Sequence, residues 1–156
     1  MAPVWTALQS TDLAVWIGFS RWAYAAVATA HVLAVAALVG AVLTLDLRLM
    51  GLGRSVDLHR LAGLAVPIAG TGLACAVLTG GLLFIGRAAE YAAFDLFRLK
   101  MVLIVCAVAL SLAAHRRYGF RFERATARQC RRLGIASLAL WVCVAVSGRM
   151  IAFVYG

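Results

Sequence analysis

The sequence predicts an all-α integral membrane protein, a four-helix antiparallel bundle with a short N-terminal interfacial helix. Of its 156 residues, 65% are hydrophobic and 13% are charged, whereas about a quarter of a soluble domain is charged. The chain also contains four apolar runs that reach the roughly 20 residues needed to cross a bilayer core. Because the connections between these runs are short, neighbouring spans should alternate in direction. We therefore predict one transmembrane domain over residues 1–156.

The N-terminal segment, about residues 3–20, is expected to form a short helix near the membrane surface. Ser10, Thr11 and Asp12 are residue types that favour a helix start, and tryptophans flank the segment as in an interfacial belt. A bend is expected at Ser20–Arg21; the alternative is one tilted helix from Asp12 to Thr44. The predicted spans cover about residues 22–44, 61–85, 97–115 and 133–154.

The charge distribution predicts the orientation of the bundle. The formal net charge is +9, and ten of the 15 cations are arginines in the 44–60 and 116–132 connections. The positive-inside rule places these connections in the cytoplasm and both termini outside. The clustering of cations at helix ends argues against nucleic-acid binding, since no basic stripe belongs to a soluble module.

Several kinds of chemistry find no support in the sequence. No hydrolase or phosphate-binding motif is present, so the chain is at most an electron carrier rather than a hydrolase or transferase. Asp46 and Asp57 are expected to pair with the arginines of the 44–60 connection. The four cysteines have no metal-finger spacing; three fall inside spans and are expected to pack as small hydrophobes, and Cys130 falls in a basic connection.

Ionisable residues at membrane depth are costly and often functional. One candidate group lies in the outer half and combines His31, near the middle of the first span, with Lys100 and Arg149. A second group at the cytoplasmic end combines His59 and His115. Each histidine could instead form a structural hydrogen bond, and the outer cations could snorkel or pair with carboxylates of the 86–96 connection.

A b-type haem between helices needs an imidazole ligand, an apolar slot and cations for its propionates. His31 is the first candidate iron ligand, with Lys100 and Arg149 at the propionates, and His59 and His115 are candidates for a bis-histidine site. The leading functional hypothesis is therefore electron transfer within the membrane. The alternatives are a non-catalytic subunit or assembly factor of a respiratory or photosynthetic complex, and copper handling by His31, Met101 and Met150.

The sequence resembles a family of small, uncharacterised bacterial four-helix membrane proteins. The shared features are His31 in the first span, D-L-R-L-M-G at residues 46–51, F-x-x-K from Phe97 to Lys100, and G-R-M-I-A-F at residues 148–153. This resemblance covers the chain from about residue 22 and implies a bacterial inner-membrane protein with no assigned activity. More distantly, the architecture is similar to cytochrome b561-type and CopD-like proteins, whose paired histidines at matched depths have no clear counterpart here.

Overall fold

The computed structural model describes the backbone of residues 2–155 and the side chains of residues 4–151, 153 and 154. Met1 and Gly156, the ends of the predicted domain, lie outside the described residues. The described chain contains seven helices and no strand, which confirms the all-α prediction. The helices are α1 (Ala2–Gln9), α2 (Asp12–Phe19), α3 (Arg21–Leu49), α4 (Leu58–Ile85), α5 (Ala88–Ala93), α6 (Asp95–Tyr118) and α7 (Ala127–Tyr155).

Side-chain caps set where the helices begin. Thr11 accepts a hydrogen bond from Ala14 N at the start of α2, and the Asp57 carboxylate accepts one from Arg60 N at the start of α4. Each cap satisfies a backbone N–H that has no partner within its own helix. The N-terminal segment therefore contains two short helices, α1 and α2, where one was expected.

Ser20 separates α2 from the first long helix. Its backbone is extended, with φ −87° and ψ 103°, and its side chain accepts a hydrogen bond from Ala23 N. The chain thus bends at Ser20, and no single helix runs from Asp12 to Thr44.

Four helices are long and apolar enough to cross a membrane, namely α3, α4, α6 and α7. Many of their large apolar side chains point away from the bundle, including Val32, Leu78 and Val105, which are 65%, 70% and 64% exposed. Such a surface requires a hydrocarbon solvent rather than water. The chain is a multi-pass membrane protein whose helices contact the lipid bilayer.

The four long helices pack in the order α4–α3–α7–α6. Glycines set the two contacts of α3: a Cβ at Gly72 would lie 2.8 Å from Leu38 N, and one at Gly134 would lie 2.7 Å from the Asp46 carbonyl oxygen. Within the described residues, no Cα atom of α4 comes within 8 Å of one in α6. These two helices are consecutive spans, yet a gap separates them.

The cysteines differ from their expected placement. Cys75, Cys106 and Cys143 lie on the exposed surface of the long helices, so they face lipid rather than the bundle interior. Cys130 is the buried thiol; it lies in α7, because that helix begins at Ala127, and packs in a cluster with Leu45. The prediction that the three intramembrane thiols pack in the core was wrong.

Candidate functional site

A cavity lies at the basic end of the bundle, the end formed by the α3–α4 and α6–α7 connections. Its volume is about 370 Å³, and side chains of all four long helices line it. The walls are mostly apolar, with Leu38 and Leu45 from α3, Leu73 from α4 and Leu110 from α6 among them. We call it the main cavity. Ligand pockets typically fall between about 300 and 1,000 Å³.

Three polar atoms in the walls of the main cavity have no hydrogen-bond partner among the described residues: Asp46 Oδ2, His115 Nδ1 and Trp141 Nε1. They come from α3, α6 and α7. Leaving a buried polar atom unpaired costs about 1–3 kcal/mol, and unpaired groups of this kind are rare in folded proteins. The three residues that carry these atoms line the same cavity, and each has a polar group that an occupant of the cavity could satisfy.

Asp46 is buried within α3 and is 3% exposed. Its carboxylate interacts with the Ser137 hydroxyl across the α3–α7 contact. The predicted pairing of Asp46 with nearby arginines was wrong, because Arg48 and Arg54 donate instead to the Val56 and Gly51 carbonyls. Sequence reasoning ended the apolar span at Thr44, whereas α3 continues to Leu49 and carries Asp46 into the bundle.

The connection between α6 and α7 closes the main cavity at the basic end. Phe120 and Phe122 both line the cavity and both pack against the His115 ring. Phe122 is 5% exposed and has a φ of +63°, a left-handed conformation that bulky residues rarely adopt. Burial of the Phe122 ring against His115 therefore keeps the Phe122 backbone in a strained conformation, and such strain is common at binding sites.

His31, the first predicted haem ligand, forms a hydrogen bond across the α3–α4 contact. The Thr79 hydroxyl lies 2.6 Å from the Cys75 carbonyl oxygen, which can only accept, so Thr79 donates its proton there. Thr79 must then accept from His31 Nδ1 at 3.0 Å. The imidazole consequently carries a proton on Nδ1, and the ring also interacts with the Ala76 backbone carbonyl of the same helix α4.

A glycine fixes the position of the His31 ring. A Cβ at Gly80 would lie 3.0 Å from His31 Cε1, so glycine lets α4 lie directly against the imidazole. Gly72 and Gly80 of the glycine-rich second span therefore both face α3. Their close approach serves helix packing and leaves no room for a flat cofactor at these two positions.

Lys100 is half-buried and close enough to interact electrostatically with His31. Its Nζ lies 3.2 Å from the Cβ position of Gly148, so α6 and α7 meet at this point. Asp95, one of the expected partners of the outer cations, pairs with Arg98 at 3.1 Å. Arg149 follows Gly148 and is exposed. Lys100 thus lies within electrostatic range of His31, whereas Arg149 lies on the surface of α7.

His59 and His115 both contact the α6–α7 connection. His59 is exposed, and its Nδ1 forms a 3.0 Å hydrogen bond with the Arg121 carbonyl oxygen. Because a carbonyl accepts, this nitrogen is a donor and is not free to bind iron. His115 contacts the same connection from the main cavity. Within the part of the chain that the structure describes, no group of three or more His, Cys, Asp or Glu side chains could hold a metal ion.

The fold and the cavity define the class: an integral membrane four-helix bundle with a partly polar cavity between its helices. Comparison with known proteins found no matching family model, no matching curated protein and no matching solved structure. The function is therefore argued from the residues of this chain.

Proposed function

We propose that the protein binds a small lipophilic molecule with a polar end in the main cavity. The observation that carries the proposal is that three residues with an unpartnered buried polar atom, Asp46, His115 and Trp141, all line one cavity of about 370 Å³. An occupant that offers both an acceptor for the indole N–H and a donor for the carboxylate would satisfy these atoms. Its polar end would lie at the basic end of the bundle.

The apolar walls favour a lipophile over a cluster of water molecules. Buried water is stable where it finds about three polar partners, whereas most of the wall of this cavity consists of leucine, valine and alanine side chains. A molecule with an apolar body and one polar end matches both parts of the surface. Ligand sites commonly combine an apolar lining with a few convergent polar groups.

The gap between α4 and α6 gives this molecule a route from the bilayer. Residues of both helices line the cavity, and their backbones do not come within 8 Å of each other. Leu112, on the α6 side, is 52% exposed. Entry through hydrocarbon would spare a lipophile the cost of crossing water.

A cavity-filling variant tests the proposal. Gly70 lines the cavity, and a Cβ there would meet nothing within 4 Å, so Gly70→Leu should occupy the space without a clash. Gly40→Leu is the matched control, because Gly40 also has open space but does not line the cavity. We expect organic extracts of the purified wild type and of Gly40→Leu to contain one lipophile near stoichiometric amount, and extracts of Gly70→Leu to lack it. Equal amounts in all three proteins, or none above a detergent blank, would contradict the proposal.

We propose haem b in electron transfer as a second candidate function, on a separate observation. His31 Nδ1 donates a hydrogen bond to the Thr79 hydroxyl. This is the arrangement by which proteins orient a histidine that binds a metal through its other nitrogen. Lys100 and Arg149 are the candidate partners of the propionates, and the iron would supply one-electron chemistry.

Visible spectra test the second candidate. His31→Ala should abolish any α and Soret bands in reduced-minus-oxidised spectra. Thr79→Val should lower haem retention by releasing the ring, whereas Thr29→Val should not, because Thr29 bonds within its own helix to Ala25. A featureless spectrum from protein made in haem-replete cells would remove haem and would leave the lipophile proposal untouched.

A further inference from the structure

A second cavity, of about 270 Å³, lies at the opposite end of the bundle, where α2, α3 and the end of α4 meet. We call it the terminal cavity, because it lies at the end that carries the N-terminal helices. Arg21, the first residue of α3, and Arg87, just after α4, both line it. Tyr24 adds a phenol, and Ile17 and Leu83 provide apolar wall. No carboxylate of a described residue lines this cavity.

Among the residues that the structure describes, neither guanidinium group has a carboxylate partner. Among the described residues, the ion pair at this end joins Arg98 to Asp95, and neither Arg21 nor Arg87 makes a side-chain hydrogen bond with another described residue. Both arginines are exposed at the cavity mouth. Two cations that line one concave space attract an anion, and a shared anion would neutralise both.

We propose that the terminal cavity binds the phosphate group of a membrane phospholipid. The planar fork of arginine matches phosphate oxygens with paired hydrogen bonds, and Tyr24 offers a further O–H donor. The proposal is independent of the occupant of the main cavity, since no described residue lines both cavities.

The surroundings favour a lipid headgroup over free phosphate. Phe19 and Trp22, on either side of the α2–α3 bend, are 86% and 87% exposed and would lie alongside acyl chains. Aromatic residues of this kind gather at the level of the headgroups. Because α3 begins at Arg21, its guanidinium lies where a membrane-crossing helix leaves the hydrocarbon. A phosphate with attached acyl chains therefore fits both the positive charge of the arginines and the exposed aromatic side chains beside them.

Native mass spectrometry tests the proposal with the full chain in mixed micelles of mild detergent and phosphatidylglycerol. Arg21→Gln/Arg87→Gln should reduce the bound lipid by at least about tenfold, the loss expected for two charge-assisted contacts. Arg98→Gln is the matched control, since it removes an exposed cation at the same end of the bundle that does not line the cavity. Its lipid retention should equal that of the wild type.

A second variant fills the terminal cavity without changing its charge. Gly18 lines the cavity, and a Cβ there would meet nothing within 4 Å, so Gly18→Leu should also displace the lipid. If the double arginine variant does not fold, this variant alone decides the matter. Retention of lipid in Gly18→Leu would overturn the proposal, and so would displacement of the lipid by millimolar inorganic phosphate, which would indicate a site for the free anion.

Discussion

The His115 ring packs against the Phe122 ring with their centroids 5.1 Å apart. This contact joins the end of α6 to the α6–α7 connection and closes the main cavity at the basic end of the bundle. His115 also lines the cavity, and its Nδ1 has no hydrogen-bond partner among the described residues. The same connection thus seals the proposed binding site and orients one of its polar groups.

Phe122→Ala should destabilise the basic end of the bundle. The ring is 5% exposed, and truncating a buried phenylalanine costs about 3–5 kcal/mol. Phe120→Ala should cost less, because Phe120 is 51% exposed. Unfolding of the two variants in mild detergent with added denaturant measures the difference. Equal losses of unfolding free energy would contradict the assignment of Phe122 as the closing residue.

Gly72→Ala should separate α3 from α4. A Cβ at this position would lie 2.8 Å from Leu38 N and 3.0 Å from the Ala34 carbonyl oxygen, and backbone atoms cannot yield as a flexible side chain does. We expect a loss of about 1–3 kcal/mol, the usual cost of overpacking. Gly40→Ala should be neutral or stabilising by about 1 kcal/mol, because its Cβ meets nothing within 4 Å and alanine favours helix. Thermal unfolding followed by circular dichroism compares the two.

Asp46→Leu should abolish binding of the lipophile and leave the stability of the ligand-free protein almost unchanged. It removes a buried carboxylate with an unpaired oxygen, and the Ser137 hydroxyl, which loses this partner, can bond to a backbone carbonyl of its own helix instead. We expect the lipophile to be lost while the free energy of unfolding of the ligand-free protein changes by less than about 1 kcal/mol. Asp57→Ala should lower the free energy of unfolding by about 1 kcal/mol, the cost of losing an N-cap. It should retain the lipophile, because Asp57 does not line the cavity. If Asp46→Leu unfolded the protein but retained the lipophile, Asp46 would be a structural residue.

Glu123 should make the α6–α7 connection sensitive to acid. Hydrogen bonds from its own backbone N–H and from Arg121 N, together with the His59 and Arg121 charges, lower the pKa of its carboxyl below the ordinary value of 4.5. A lowered pKa means that this stabilisation is present above pH 4.5 and is lost as the pH falls through the folded-state value. The Arg121 amide resonance should therefore shift with a midpoint below pH 4.5, and Glu123→Gln should remove the step. A midpoint at or above that value would contradict the hydrogen-bonded geometry.

The fold followed from the sequence because composition and four apolar runs leave few alternatives for a chain of this length. The helix starts could also be predicted from the sequence, since Thr11, Ser20 and Asp57 are standard capping residue types and each caps a helix. The order in which the four long helices pack could not be predicted from the sequence. Short connections predict that consecutive spans alternate in direction, but they do not predict that α4 and α6 stay apart.

The main cavity could not be predicted from the sequence for the same reason, since it depends on how the helices pack. Asp46 was placed in a connection, because hydropathy falls at Asp46–Arg48 although the helix continues to Leu49. Trp141 is one apolar residue among many in α7, and its unpaired Nε1 depends on neighbours from other helices. His31 and Lys100 were singled out by their depth and do lie near each other, whereas the partner of His31, Thr79, is 48 residues away in the sequence.

The most direct test of the lipophile proposal is a ¹⁵N–¹H spectrum of the four tryptophan indole groups in detergent, with the Trp141 resonance assigned by Trp141→Phe. The spectrum is recorded for delipidated protein and again after the organic extract of the wild type is added back. We predict that the Trp141 indole proton moves downfield as its N–H gains an acceptor, while the resonance of the 87%-exposed Trp22 does not move. A Trp141 resonance that is unchanged by the extract would contradict binding in the main cavity.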